Sequence, residues 1–147
     1  MEDMADHVAE KGFDLPYNLG SRGSCCLGGN VATNAGGSKQ VKHGSLRSNI
    51  VGLEAVLADG TIINDMSTIR KDNSGYDVKQ LMIGSEGTLG VITEAALKCP
   101  SQDPPKRVLM VAVATFEKCV QILKHARRCL GSSLSAFEML DRTCLQQ

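Results

Sequence analysis

The chain has 147 residues, 42% of them hydrophobic, and 16 Lys plus Arg balance 16 Asp plus Glu. That length suits one domain with a core, or a domain and a piece of another, and the even bulk charge does not suggest a polybasic surface for nucleic acid or lipid. No Trp, two Tyr and three Phe argue against a base-stacking platform or an aromatic-lined groove.

The N-terminal stretch MEDMADHVAEKG predicts a short helix over 2–11, with acidic Glu2 and Asp3 at its start, an apolar stripe of Met4, Ala5 and Val8, and Gly12 as its stop. It has the pattern of neither a secretory signal nor an Arg-rich transit peptide. Two small-residue loops follow, Gly20–Ser24 and Gly28–Gly37. From Ile50 the residues alternate, and Asp59-Gly60 supplies the turn before Thr61-Ile62-Ile63, which predicts a hairpin. A short helix or helical turn is expected over 74–82. A second glycine cluster, Gly84–Gly90, then runs into a strand over 91–97.

Pro100, Pro104 and Pro105 mark a domain boundary between residues 1–100 and 105–147. Beyond it, Arg107–Ala114 reads as a strand. Thr115 caps a helix with apolar residues at helical spacing, Gly131 ends it, and Leu134–Leu140 reads as a returning strand. This β-α-β unit needs further strands to bury its other surfaces, so the chain is expected to be cut inside a second domain. No apolar run approaches the ~20 residues of a membrane-spanning helix.

The six Cys form no C-x-x-C pair, and the three His are widely separated. The thiols read as reduced packing residues, and no zinc site is expected within the segment.

The stretch GGNVATNAGG (28–37) raises the question of phosphate binding. A P-loop fails because Ser38 separates Gly37 from Lys39. A Rossmann fingerprint fails because Gly84, Gly87 and Gly90 precede a strand instead of following one. A backbone nest remains, in which main-chain N–H groups converge on an anion or approach a flat ring. Asn30, Thr33, Asn34 and Ser38 add polar partners without charge. A pair of tight turns is the alternative.

The segments GSCCLGGNVATNAGG (23–37), GSL (44–46), GLEAVLADGT (52–61), RKDNSGYDVKQLMIGSEGTLGVIT (70–93) and SAFEML (135–140) together resemble the FAD-binding core of flavoprotein oxidases of the vanillyl-alcohol oxidase type. The resemblance covers nearly the whole chain. It implies an α+β fold: the second subdomain of the FAD-binding domain over 1–100, a mostly antiparallel sheet with flanking helices, then the first β-α-β of a substrate cap over 105–147. It implies that Gly23, Ser24, Gly28, Gly29, Asn30 and Thr33 line FAD, that Asn34, Gly36, Gly37 and Gly44 continue that wall, and that Glu86, Gly87, Gly90, Val91 and Ile92 lie along the dinucleotide.

The implied activity is oxidation of a D-2-hydroxy acid, with 2-hydroxyglutarate ahead of lactate or glycolate. An electron-accepting flavoprotein and a mitochondrial location are implied as well. The catalytic base and a divalent metal, zinc, are expected outside this segment, which by itself is expected to be inactive. A non-catalytic truncated product is the rival reading. The chain departs from the family's pattern at His43, where an aromatic residue is usual and where a partly exposed loop histidine is expected, and at Cys25-Cys26.

Overall fold

A computed structural model describes residues 1–146. Helix α1 spans Glu2–Glu10 and stops where Gly12 turns to φ 79°. Helix α2, Leu27–Ala32, occupies the first half of the glycine stretch. One-turn helix α3, Gln40–His43, and a 3₁₀ turn, Leu46–Asn49, lead into strand β1, Ile50–Leu57. After the Asp59-Gly60 turn comes β2, Ile62–Asp65. One-turn helix α4, Lys79–Met82, precedes β3, Gly90–Leu97. Helix α5, Phe116–Leu130, follows the prolines.

The strands form one antiparallel sheet in the order β2-β1-β3. Strict alternation would send Ile50 and Leu53 to opposite faces. Two register shifts correct this: Val51 is the extra residue in β1, and Thr93 is the extra residue in β3. Ile50, Leu53 and Ala55 thereby share one core with Tyr17, Val31, Leu46, Met82 and Ile83, with Ile92, Ala95 and Leu97 packed against it. The sheet's other face stays open. On it the Glu54 carboxylate accepts hydrogen bonds from Asn64 Nδ2 at 2.6 Å and Thr93 Oγ1 at 2.8 Å. Beside them Ile62 and Val91 are both exposed.

The segments around the boundary prolines are clipped to the N-terminal part of the chain. Phe13 bridges Ser101, and Asp14 N donates to the Pro100 carbonyl at 2.8 Å. Lys39 Nζ reaches Asp14 at 2.6 Å and the Leu15 carbonyl at 2.9 Å, and Lys42 pairs with Asp103. None of the six cysteines is in a disulfide.

The β-α-β expectation is corrected. The β-α-β unit reduces to its helix: α5 is capped by Thr115, whose Oγ1 accepts from Lys118 N, and ends at Gly131, but 107–114 and 134–140 form no strand. A strand is held by ladder bonds to a neighbour, and neither segment has one among the described residues. Val108, Leu109 and Met110 stand 96%, 85% and 85% exposed. The helix or helical turn expected over 74–82 is the single turn of α4, with 70–78 an exposed loop. The whole chain exposes 10355 Å², where a compact monomer of its mass exposes about 7,300 Å².

Several glycines are required by packing. A Cβ on Gly90 would lie 2.5 Å from the Val56 carbonyl oxygen, whereas a Cβ on Gly29 would meet nothing within 4 Å. Gly90→Ala should therefore destabilise the fold by about 1–3 kcal/mol. Gly29→Ala, inside α2, should be neutral or stabilise it by up to about 1 kcal/mol. Urea unfolding midpoints check the pair, and the reverse order would contradict the packing described.

Candidate functional site

The two glycine-rich segments, Gly28–Gly37 and Gly84–Gly90, are distant in sequence and meet at the C-terminal end of α2. The last carbonyls of a helix have no partner within it. Here Gly84 N donates to the Val31 carbonyl at 3.1 Å and Glu86 N to the Ala32 carbonyl at 2.9 Å. The second loop can reach them because Gly84, Glu86 and Gly87 all adopt positive φ, at 79°, 52° and 79°. Glycine takes that conformation freely; Glu86 does so against its preference. On the first segment Asn34 also sits at positive φ, 49°, and its Oδ1 accepts from Arg47 N at 3.0 Å.

The expected wall residues divide into those committed to the fold and those left free. A Cβ on Gly28 would lie 3.1 Å from the Ile92 carbonyl oxygen, and one on Gly37 would lie 2.2 Å from that of Asn18. These two glycines and Gly90 let backbones pack. The Asn30 side chain is turned inward, 7% exposed, donating to Cys25 Sγ at 3.3 Å. Thr33 Oγ1 bonds back to the Gly29 carbonyl at 3.0 Å. The side chains of Asn30 and Thr33 are thus spent on the local fold instead of being offered outward. Val91 lies on the open face of the sheet and Ile92 packs on the core, so the two side chains cannot line one ligand together.

Gly29 and Gly87 have open space where a side chain would stand, and the only atom near a Cβ on Gly23 is Glu2 Oε2, at 3.8 Å. Ser24 lies in the exposed turn before α2 with its N–H on the Ser21 carbonyl at 2.9 Å. A Cβ on Gly36 would meet only the Gln40 side chain, with Oε1 at 2.9 Å. Gly44 ends α3 at φ 75°.

Gly37 and Ser38 sit between two adjoining grooves of about 440 and 560 Å³. Asn18, Gly20 and Arg22 line one; Gln40, Val41, Gly44 and Arg127 line the other; Glu138 lines both. His43 is half-buried at the end of α3, and burial pulls its pKa below the ordinary value. Cys25 is lowered chiefly by its hydrogen bond with the Asn30 amide. Arg70–Asn73 is exposed, with Asp72 Oδ1 accepting from Ser74 N at 3.0 Å.

Two residues at the junction were not singled out from the sequence. The Ser85 hydroxyl oxygen is buried and has no hydrogen-bond partner in the protein. A buried hydroxyl without a partner costs stability unless a ligand or water completes it. It stands between Gly84 and Glu86, where the two loops join. Arg47 is the second. A lone serine or arginine in a loop carries no sequence signal for such a place; only the three-dimensional junction reveals it.

Residues 1–65 match the family model described as FAD binding domain. The mitochondrial D-2-hydroxyglutarate dehydrogenase of Bos taurus is 49% identical over 99% of this chain, and that of Arabidopsis thaliana 43% identical over 99%. Over nearly its whole length the chain is similar to the D-2-hydroxyglutarate dehydrogenases. It spans 27% and 26% of the length of these two proteins. The D-2-hydroxyglutarate–pyruvate transhydrogenase of Saccharomyces cerevisiae is 38% identical over 99% of the chain and 29% of its own length. Among solved structures, alkyldihydroxyacetonephosphate synthase superposes with a TM-score of 0.57 at 28% identity, over 68% of this chain and 17% of that one. This agrees with the α+β reading: a small antiparallel sheet with flanking helices.

Asp103 ties the residues after the sheet to α3, which borders the second groove. Its pKa is held below the ordinary 3.8, first by the hydrogen bond from the Lys42 ammonium. A carboxylate depressed in the fold stabilises it above the unfolded value, and that contribution is lost as the pH falls through the folded value. Asp103→Asn should therefore flatten the acid limb of stability below pH about 4, read as urea midpoints across that range. An unchanged acid limb would contradict the pair's role.

Proposed function

We propose that residues 1–100 form the second half of an FAD-binding domain and residues 105–147 the start of a substrate cap. They would belong to a flavoenzyme that oxidises a D-2-hydroxy acid, 2-hydroxyglutarate to 2-oxoglutarate. The observation that carries this reading is the junction at the end of α2. Two glycine-rich loops are joined there by main-chain hydrogen bonds, Gly29 and Gly87 have no neighbour at their Cβ positions, and a buried hydroxyl on Ser85 lacks a partner. Open backbone plus an unsatisfied donor suits a large ligand with a phosphate tail and a flat ring. The names of the relatives support the substrate and the mitochondrial location.

Bound FAD would supply the acceptor for the hydride that leaves the hydroxyl-bearing carbon, while the hydroxyl proton goes to a base. This chain's own part is to hold and orient. Gly29, Gly36 and Gly87 would let the main chain approach the cofactor closely. Gly23, Ser24 and Glu86 border the same wall. The groove bounded by Gly37, Ser38, Arg127 and Glu138 would admit the small acid.

The base, a divalent metal such as zinc, and the contact with an electron-accepting flavoprotein are assigned outside these residues. The described residues contain no cluster of three His, Cys, Asp or Glu side chains. The 147 residues alone are expected to turn nothing over, because the base is assigned elsewhere. The alternative, a non-catalytic chain that works by pairing with other protein, is favoured by the surplus exposed surface.

The test is titration of the purified protein with FAD, followed by flavin fluorescence quenching. Saturable binding is expected, weakened at least about tenfold in Gly29→Val, whose side chain would occupy the open face. Circular dichroism confirms that the variant is folded. Equal affinity in a folded Gly29→Val protein would remove Gly29 from the wall. Absence of binding by the unaltered protein would favour the non-catalytic reading.

A further inference from the structure

Arg47 connects every part of the junction. Its main-chain N–H donates to Asn34 Oδ1 at 3.0 Å. Its Nη1 donates to the Gln80 carbonyl at 2.5 Å and to Gln80 Oε1 at 3.2 Å, and its Nη2 donates to the Ile83 carbonyl. Those two carbonyls lie on the last turn of α4 and at its end. The guanidinium fork can reach both at once, which a single ammonium cannot. Gly84 follows immediately at φ 79°, and a Cβ there would lie 3.1 Å from Arg47 Nη2 and 3.4 Å from Asn34 Cβ.

The charge matters as well as the geometry. Among the described residues, Arg47 has no carboxylate within ion-pair distance: the ion pairs use Arg22, Lys39, Lys42 and Lys79. The side chain is half-buried and satisfied by neutral carbonyl and amide oxygens. A full positive charge therefore remains uncompensated beside Asn34 and Gly84, in a partly desolvated place where its field is stronger than at the surface.

We propose that Arg47 is a positioning residue for the cofactor site, locking the Gly84–Gly90 loop against Asn34 and presenting a fixed positive charge to the cofactor's pyrophosphate. This rests on the FAD reading for the ligand, but the locking of the loop stands apart from it. Arg47 need not touch the cofactor; it acts through the backbone of the two loops and through its field.

The experiment compares the unaltered protein with Arg47→Met and Arg47→Lys by amide hydrogen exchange without ligand, and by affinity for FAD and for riboflavin, which lacks phosphate. Both variants should exchange faster over residues 84–90, because each loses the fork. Arg47→Met should lose FAD affinity at least about tenfold more than riboflavin affinity, as expected for a lost interaction with a charged group. Arg47→Lys keeps the charge and should retain FAD's advantage over riboflavin. Unchanged exchange in Arg47→Lys overturns the positioning role, even if Arg47→Met fails to fold. Parallel losses for FAD and riboflavin in a folded Arg47→Met, or loss of FAD's advantage in Arg47→Lys, overturn the role of the charge. If the unaltered protein binds no FAD, the FAD reading and the pyrophosphate role fail together, while the exchange comparison still decides the positioning role.

Discussion

The fold turns on a short helix whose last carbonyls are completed by another part of the chain. Val31 and Ala32 end α2 with acceptors that cannot be satisfied within the helix; Glu86 N completes the Ala32 carbonyl, and Gly84 N shares the Val31 carbonyl with Asn34 N. That constraint fixes the approach of the second glycine loop, hence the start of β3, which pairs with the central strand β1. Gly28 faces the Ile92 carbonyl, so α2 lies close over β3 with almost no side chain between them. The core residues Val31, Leu53, Met82 and Ile83 close beneath this contact. The candidate site is the outer rim of the same junction, so the proposed cofactor wall and the structural seam share residues.

Much of this was legible in the sequence where a local rule applies. Helix α1 with its Gly12 stop, the hairpin around Asp59-Gly60, β3, and α5 between Thr115 and Gly131 each have a cap, a turn or a periodicity that acts within a few residues. The reading failed where the decisive partner is distant. The 107–114 run is apolar enough for a strand, but a strand exists only when paired, and no described segment pairs with it. The glycine stretch looked like continuous loop. Its first half is helical because α2 gains from packing on β3 and from capping by 84–86, which outweighs glycine's poor helix propensity.

Glycine count alone does not separate the roles of these residues. Gly28, Gly37 and Gly90 are explained by close backbone contacts, without any ligand, whereas Gly29 and Gly87 are not. Asn30 and Thr33 looked like ligand partners because their groups are polar, yet both bond locally. Ser85 and Arg47 gave no sign because their significance lies in which groups surround them. A residue type announces chemistry, but burial and neighbours decide whether that chemistry is available.

The open face of the sheet and the exposed apolar residues 108–110 give the chain more surface than its mass requires. The curated relatives extend well beyond the matched region, and a cofactor held from one side only would be exposed on the other. Such surfaces suit a segment that works within a larger protein.

The central claim is that both glycine loops form one ligand wall. The most direct measurement is an FAD titration followed by amide chemical shifts in two-dimensional nitrogen–proton NMR. The amides of residues 29–37 and 84–90 are predicted to shift together with one common dissociation constant. Shifts confined to a single loop, or two loops titrating with different constants, would contradict it.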